Sequence, residues 1–363
     1  MFKIITFILA VIFSFSAYAT EETLSYKIGQ MIMVGFRGTE INNNSSIVKN
    51  IKENKIGGVI YFDYDTSLKK YDRNIKSKEQ LNQLSKDLQS YTTDLPLFIA
   101  VDSEGGKVQR LKGKYGFSEI MSAEKIGNMD NLSITKWEAT KNAKSIKSVG
   151  VNLNFAPVVD VNVNPENPVI GKLGRAYSED AIEVYKQASA TIDRYRINNI
   201  ITCLKHFPGH GSAYNDSHLG LTDISDTWTK DELIPYNKLI NDNKVDMIMM
   251  GHLFNKNIDS QYPASISKNF TDILRNELNY DGVLVSDDMQ MKAISKYYTL
   301  EEQVDLFLAS SMDIILFGNN LSYDENIANK IFDLIYNKTK NNPELKMRIN
   351  ESFNRIKKLK SKI

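Results

Sequence analysis

Eight short apolar runs recur along the chain, at residues 30–36, 57–62, 96–102, 149–157, 200–206, 245–252, 282–288 and 312–318. Each is bounded by Gly or polar residues and separated from the next by a longer charged stretch. Most are hydrophobic throughout and do not alternate, as strands covered on both faces of a parallel sheet do. The stretches between them, such as 78–93 and 178–198, carry apolar residues at helical spacing with charged residues between. Strand and helix therefore alternate eight times, which predicts an α/β fold, a single (β/α)8 TIM-type barrel. The competing doubly wound open sheet lacks its glycine-rich phosphate fingerprint after the first strand. No internal repeat, low-complexity tract or Pro/Gly-rich linker divides the chain, and 321–363 reads as closing helices.

The first nineteen residues stand apart. Lys3 supplies a positive start, 4–15 is a nearly unbroken apolar run, and Ala17-Tyr18-Ala19 has the small-x-small form of a cleavage site. This predicts a secretory signal peptide over 1–19, cut after Ala19, with the barrel over 20–363. A membrane anchor fits less well, because the run is shorter than the roughly 18 apolar residues that span a bilayer. No second run of that length occurs, so no stable membrane insertion is expected after cleavage. Lys3 is the one charged residue removed, which leaves 44 basic against 44 acidic residues. A balanced chain has no bulk charge to attract nucleic acid. Cys203 is the single cysteine and lies within an apolar run, which suits an inert buried thiol.

A barrel places its active site at the C-terminal ends of its strands. Here the third run ends in Asp102, the fifth in Lys205-His206, the sixth in His252 and the seventh in Asp287-Asp288. One such Asp is an ordinary turn residue; four chemically versatile strand ends together are not. All four histidines, His206, His210, His218 and His252, fall between 206 and 252, from the end of the fifth run to the end of the sixth. Clustering at the functional rim favours chemistry over packing. Metal-assisted hydrolysis is one use for such a cluster. Barrel metallohydrolases usually carry a His-x-His pair at the first strand, and here that run continues Val34-Gly35-Phe36-Arg37. Glycosidic cleavage is the other. It needs one group at the anomeric carbon and another to protonate the leaving oxygen. Asp287 or Asp288 could attack, and Asp216-Ser217-His218 could supply the proton, a carboxylate orienting the imidazole two residues away. Gly209 and Gly211 are expected to give this loop freedom to move over the sugar.

The stretch Lys205-His206-Phe207-Pro208-Gly209-His210-Gly211, followed by Asp216-Ser217-His218, resembles the signature of glycoside hydrolase family 3, in its β-N-acetylglucosaminidase branch. Three further segments agree in the family's order: Val101-Asp102-Ser103-Glu104-Gly105-Gly106-Lys107-Val108-Gln109-Arg110, Asn154-Phe155-Ala156-Pro157-Val158-Val159-Asp160-Val161, and Ser286-Asp287-Asp288-Met289. The resemblance implies that Asp287 is the nucleophile and that His218, paired with Asp216, is the acid/base. It implies that Asp102, Arg110, Arg175, Lys205 and His206 grip the sugar, with no metal and no cofactor. The choice of Asp287 over Asp288 rests on the resemblance. His210 and His252 are expected to support the loop or pack behind the site. The segment holding Arg175 is longer after Gly171 than the family's shortest form. Ser103 and Lys107 replace a common Gln and a frequent Arg, and both are expected to support the site without touching sugar.

The expected activity is retaining, exo-acting hydrolysis of terminal N-acetylglucosamine from peptidoglycan fragments or chitin-type oligosaccharides, in the periplasm or outside the cell. The alternatives are another family 3 β-glycosidase, a phosphorylase, since a neutral imidazole does not repel an anionic acceptor, or a catalytically silent sugar-binding barrel.

Overall fold

The computed structural model of the chain describes residues 22–216 and 220–363. Its centre is an eight-stranded parallel sheet: β1 (Ile32–Gly35), β2 (Gly58–Tyr61), β3 (Phe98–Val101), β4 (Leu153–Asn154), β5 (Ile201–Phe207), β6 (Met247–Met250), β7 (Val283–Ser286) and β8 (Ile315–Phe317). Each strand pairs with its sequence neighbours, and β8 returns to β1 through Ile32↔Ile315 and Val34↔Phe317. A parallel bridge, Val285↔Ile314, joins β7 to the chain entering β8 and completes the ring. All eight runs contain a strand, and every residue of these strands is buried. The core faces inward to the barrel lumen and outward to the helices, which explains why the runs are continuously apolar.

β4 is two residues long although its run spans nine. Pro157 has no N–H to donate, and the chain beyond Asn154 keeps only one bridge, Val158↔Lys205, to β5. The expected helices form over Lys78–Ser90 and Ala181–Ile197, each begun by a side-chain cap: Ser77 accepts from the Gln80 N–H, and Asp180 from the N–H groups of Ile182 and Glu183. The chain ends in helices Ile327–Thr339 and Pro343–Lys360. The last packs across the N-terminal mouth of the barrel, where buried Lys360 donates to Gln30 Oε1 at 2.7 Å and to the Gly57 carbonyl at 2.8 Å, its ammonium 4.8 Å from the Phe98 ring centre. With that mouth plugged, access to the lumen is from the C-terminal side. Short pairs of strands decorate that side: Tyr64–Asp65 with Lys70–Tyr71, Ser103–Gly105 with Val108–Gln109, and Thr222–Asp223 with Leu253–Phe254. Among the described residues no helix is long and apolar enough to cross a membrane.

Candidate active site

The C-terminal strand ends enclose a cavity of about 300 Å³. Inward-facing Ile60, Phe155, Met249 and Leu316 line its apolar part, and Asp102, Glu104, Arg110, Arg175, Lys205, His206 and Asp287 supply the polar wall. Five of these form one charged cluster. Lys205, inside β5, reaches Asp102 Oδ1 at 2.9 Å and Glu104 Oε1 at 2.7 Å. Arg175 grips Glu104 with two bonds of 2.8 Å and donates a third, 2.9 Å, to the Val169 carbonyl. Arg110 approaches Asp102 at 3.8 Å.

The side chains of Lys205, Glu104 and Arg175 are 4%, 6% and 9% exposed, so their charges are tolerable only as a paired set. Burial pushes Glu104 up, but the Arg175 and Lys205 charges and their hydrogen bonds pull it well below the usual carboxylate range. Burial lowers Lys205, and the Asp102 and Glu104 charges more than restore it, so it stays an ammonium. The cluster presents to the cavity a fixed set of charged hydrogen-bonding groups, of which the Arg175–Glu104 pair is bidentate. Ser103 and Lys107 stand outside the cavity wall: the Ser103 hydroxyl donates to Asn142 at 2.8 Å and the Lys107 ammonium to the Lys172 carbonyl at 3.0 Å.

His206 follows Lys205 across a cis peptide bond, and Phe207–Pro208 is cis as well. Its Nδ1 lies 2.8 Å from Asp160 Oδ2, and its Nε2 lies 3.4 Å from the Arg175 guanidinium. Since Arg only donates, Nε2 accepts and Nδ1 carries the proton toward Asp160. Asp160 also accepts the N–H groups of His206 at 3.0 Å and His210 at 2.8 Å. Burial alone would raise this carboxyl; His206 and these bonds hold it below its ordinary value. His210 is buried, and burial followed by the nearby His206 lowers it to about 4, so it is neutral near neutral pH.

The two glycines of this loop do not act as hinges. A Cβ on Gly211 would stand 1.6 Å from the Val161 carbonyl oxygen. One on Gly209, whose φ is +126°, would stand 2.7 Å from the Glu232 Cβ. Both are glycine because two neighbours press against the backbone, and they fix the loop. Further ties are Trp228 Nε1 to the Pro208 carbonyl at 3.1 Å and Asn167 to the His210 carbonyl at 2.7 Å. Gly211→Ala should therefore destabilise the fold by about 1–3 kcal/mol and displace this loop. An unchanged thermal midpoint together with wild-type turnover would contradict the packing account.

At the end of β7 two adjacent acids both border the cavity but differ in their hydrogen bonds. The Asp288 carboxylate accepts the N–H groups of Gln290 at 3.1 Å and Gly318 at 2.8 Å, tying β7 to the loop after β8. Asp287 accepts the Asp288 N–H at 2.8 Å and borders the cavity. His252 is fully buried, its Nε2 2.9 Å from the Asp288 carbonyl and its Nδ1 2.6 Å from the Ser265 hydroxyl. The carbonyl can only accept, so the His252 Nε2–H braces the same turn. Asp216 is half-buried and does not line the cavity. His218 lies outside the described residues. No group of three or more His, Cys, Asp or Glu that could hold a metal occurs among the described residues.

The family model for the glycosyl hydrolase family 3 N-terminal domain matches residues 23–359. The chain belongs to glycosyl hydrolase family 3. It is 32% identical over 342 residues to beta-hexosaminidase A of Pseudoalteromonas piscicida, covering 83% of this chain and 55% of that protein. It is 33% identical over 298 residues to a beta-hexosaminidase of Idiomarina loihiensis, covering 80% of this chain and 84% of that one. Among solved structures, a family 3 beta-N-acetylglucosaminidase from a Paenibacillus species superposes with a TM-score of 0.84 at 31% identity, covering 94% of this chain and 62% of that one. The chain thus spans little more than half the length of some relatives it matches.

In this family 3 barrel the structure brings together Asp102, Arg110, Arg175, Lys205, His206 and Asp287, including Arg175, whose segment departs in length from the family's short form. Glu104, Asp160 and Glu232 were not singled out by sequence reasoning. Asp160 directly follows the apolar pair Val158-Val159, the signal that marked Asp102, whereas Glu104 lies two residues past Asp102 with Ser103 between. Glu232 sits in a polar stretch and gives no such sign.

Proposed function

We propose that this chain is a retaining exo-β-N-acetylglucosaminidase. The observation that carries the reading is one cavity wall holding Asp287 together with the Asp102–Lys205–Glu104–Arg175 cluster, His206 and Arg110. A cavity of about 300 Å³ stands at the small end of ligand pockets, which suits one terminal ring. The names of the relatives support the same sugar.

Asp287 attacks the anomeric carbon while His218, oriented by Asp216, protonates the departing oxygen. The covalent glycosyl-enzyme is then hydrolysed by water that His218 deprotonates, and the configuration is retained. The charged cluster and His206 hold the ring so that the anomeric carbon meets Asp287. Residues 1–19 serve as a signal peptide and 20–363 as the catalytic barrel. The enzyme acts in the periplasm or outside the cell on peptidoglycan fragments or chitin-type oligosaccharides.

Turnover of an aryl β-N-acetylglucosaminide should exceed that of the matching aryl β-glucoside by at least about 100-fold, the size of a lost set of oriented hydrogen bonds. Product analysis on N-acetylglucosamine oligomers and muropeptide fragments should show release of single sugars with retained configuration. Comparable glucoside turnover, or accumulation of sugar 1-phosphate on adding phosphate, would redirect the reading to another β-glycosidase or to a phosphorylase.

A further inference from the structure

Glu232 is 1% exposed and lies in the turn Lys230–Leu233 that opens the helix Ile234–Asn241, directly beneath the loop leaving β5. Its Oε2 accepts the Gly211 N–H at 3.1 Å, and the Ser212 N–H and hydroxyl face the same carboxyl. Gly209 lies so close that a Cβ there would meet Glu232 Oε2 at 2.8 Å. Its Oε1 is buried and accepts no hydrogen bond among the described residues. No cation pairs with it there. The charged group facing it is another acid, Asp160, and from its own helix it faces the buried Tyr236 phenol. His206 and His210 face Asp160 and are held by it. The loop therefore rests on two carboxyls: Asp160, which accepts the His206 ring N–H and the backbone N–H groups of His206 and His210, and Glu232, which has no histidine or cation bonded to it among the described residues.

We propose that Glu232 is a positioning residue for the loop that carries Asp216: its neutral carboxyl lets the backbone at Gly209–Ser212 close upon it, and its ionisation forces that contact apart. Burial, and then the Asp160 charge, raise this carboxyl to about 7 against the Ser212 and Gly211 hydrogen bonds, so the change falls in the working range. Ionisation places a second negative charge beside Asp160 in a dry site, and moving Gly209, Gly211 and Ser212 to admit water relieves it. Asp216 follows Ser212 by four residues and moves with it. This inference rests on the assignment of Asp216 and His218 to proton transfer.

The test compares pH profiles of kcat/KM for wild type, Glu232→Gln, Glu232→Ala and His218→Ala, using a dinitrophenyl and an alkyl β-N-acetylglucosaminide. The first leaving group departs unprotonated; the second needs an acid. Wild-type kcat/KM on the alkyl substrate should fall above about pH 7 with the loss of two protons. Glu232→Gln keeps the acceptor for Gly211 and cannot ionise, so its fall should reflect one proton, with the acid-side plateau within about threefold of wild type. Glu232→Ala should slow the alkyl substrate at least about tenfold more than the dinitrophenyl one. Superposable profiles for wild type and Glu232→Gln, or equal slowing of both substrates in Glu232→Ala, would overturn the proposal. His218→Ala separates the two ideas: an effect confined to the alkyl substrate supports the acid/base assignment independently of Glu232. Equal effects on both substrates would remove that assignment and the role of Glu232 with it.

Discussion

Asp287→Ala should lower kcat on an aryl β-N-acetylglucosaminide by about 10⁴-fold or more, because it removes the carboxylate proposed to form the glycosyl-enzyme. The neighbouring acid is expected to play a different part. One carboxylate oxygen of Asp288, Oδ1, accepts both the Gln290 and the Gly318 N–H groups and holds the turn in which Asp287 sits. Asp288→Ala should therefore act mainly through stability, leaving the N–H of buried Gly318 without its acceptor at about 1–3 kcal/mol, and should retain far more turnover than Asp287→Ala. A mechanism-based fluorosugar provides the direct check. Intact mass should show one adduct on wild type and none on Asp287→Ala, with the label mapping to the peptide containing Asp287. Turnover retained in Asp287→Ala, or a label on Asp288, would end the assignment.

Lys205→Met should be the most damaging change among the residues proposed to grip the sugar, in stability and in turnover alike. The ammonium lies between Asp102 and Glu104, 4% exposed, and its loss leaves Asp102 with Arg110 alone at 3.8 Å. Breaking a buried pair by removing one partner costs about 3–5 kcal/mol, measurable by denaturant unfolding. Glu104 is held below its ordinary value of 4.5 in the folded protein, so its contribution is complete above that pH and declines as pH falls below it. The stability deficit of Lys205→Met should accordingly be full at neutral pH and shrink on acidification below about 4.5. Turnover should fall by at least about 100-fold, since the lost charge-assisted bonds would have oriented the ring. A variant with wild-type stability at pH 7 would show that the cluster is not electrostatically coupled as its distances imply.

The barrel was readable because its determinants are local and repeated. A strand buried on both faces must be apolar at successive positions, and a covering helix must be apolar at every third or fourth, so the alternation survives in one dimension. The polar residues that end those strands were readable for the same reason: Asp102, Lys205, His206 and Asp287 interrupt apolar runs where the barrel has its open face. Arg175 and Arg110 lie in loops with no such frame, and their placement needed the family resemblance. The cavity confirms that both border the same space.

Contacts between segments distant in sequence were not readable. Gly209 and Gly211 suggested a hinge because glycine widens the choice of backbone angles. They are glycine here because Glu232 and the Val161 carbonyl occupy the space of a side chain. Adjacent Asp287 and Asp288 have the same local character, and what distinguishes them is the tie from Asp288 to the Gly318 N–H just past the neighbouring strand β8. The sequence by itself determined the eightfold alternation, the open face and most of the acids and bases upon it, since periodicity and strand endings are properties of neighbours in the chain. The tertiary structure alone decided which charges pair, which loop is pinned and that a buried carboxyl, Glu232, lies beneath it, because burial and electrostatic partnership depend on distance in space.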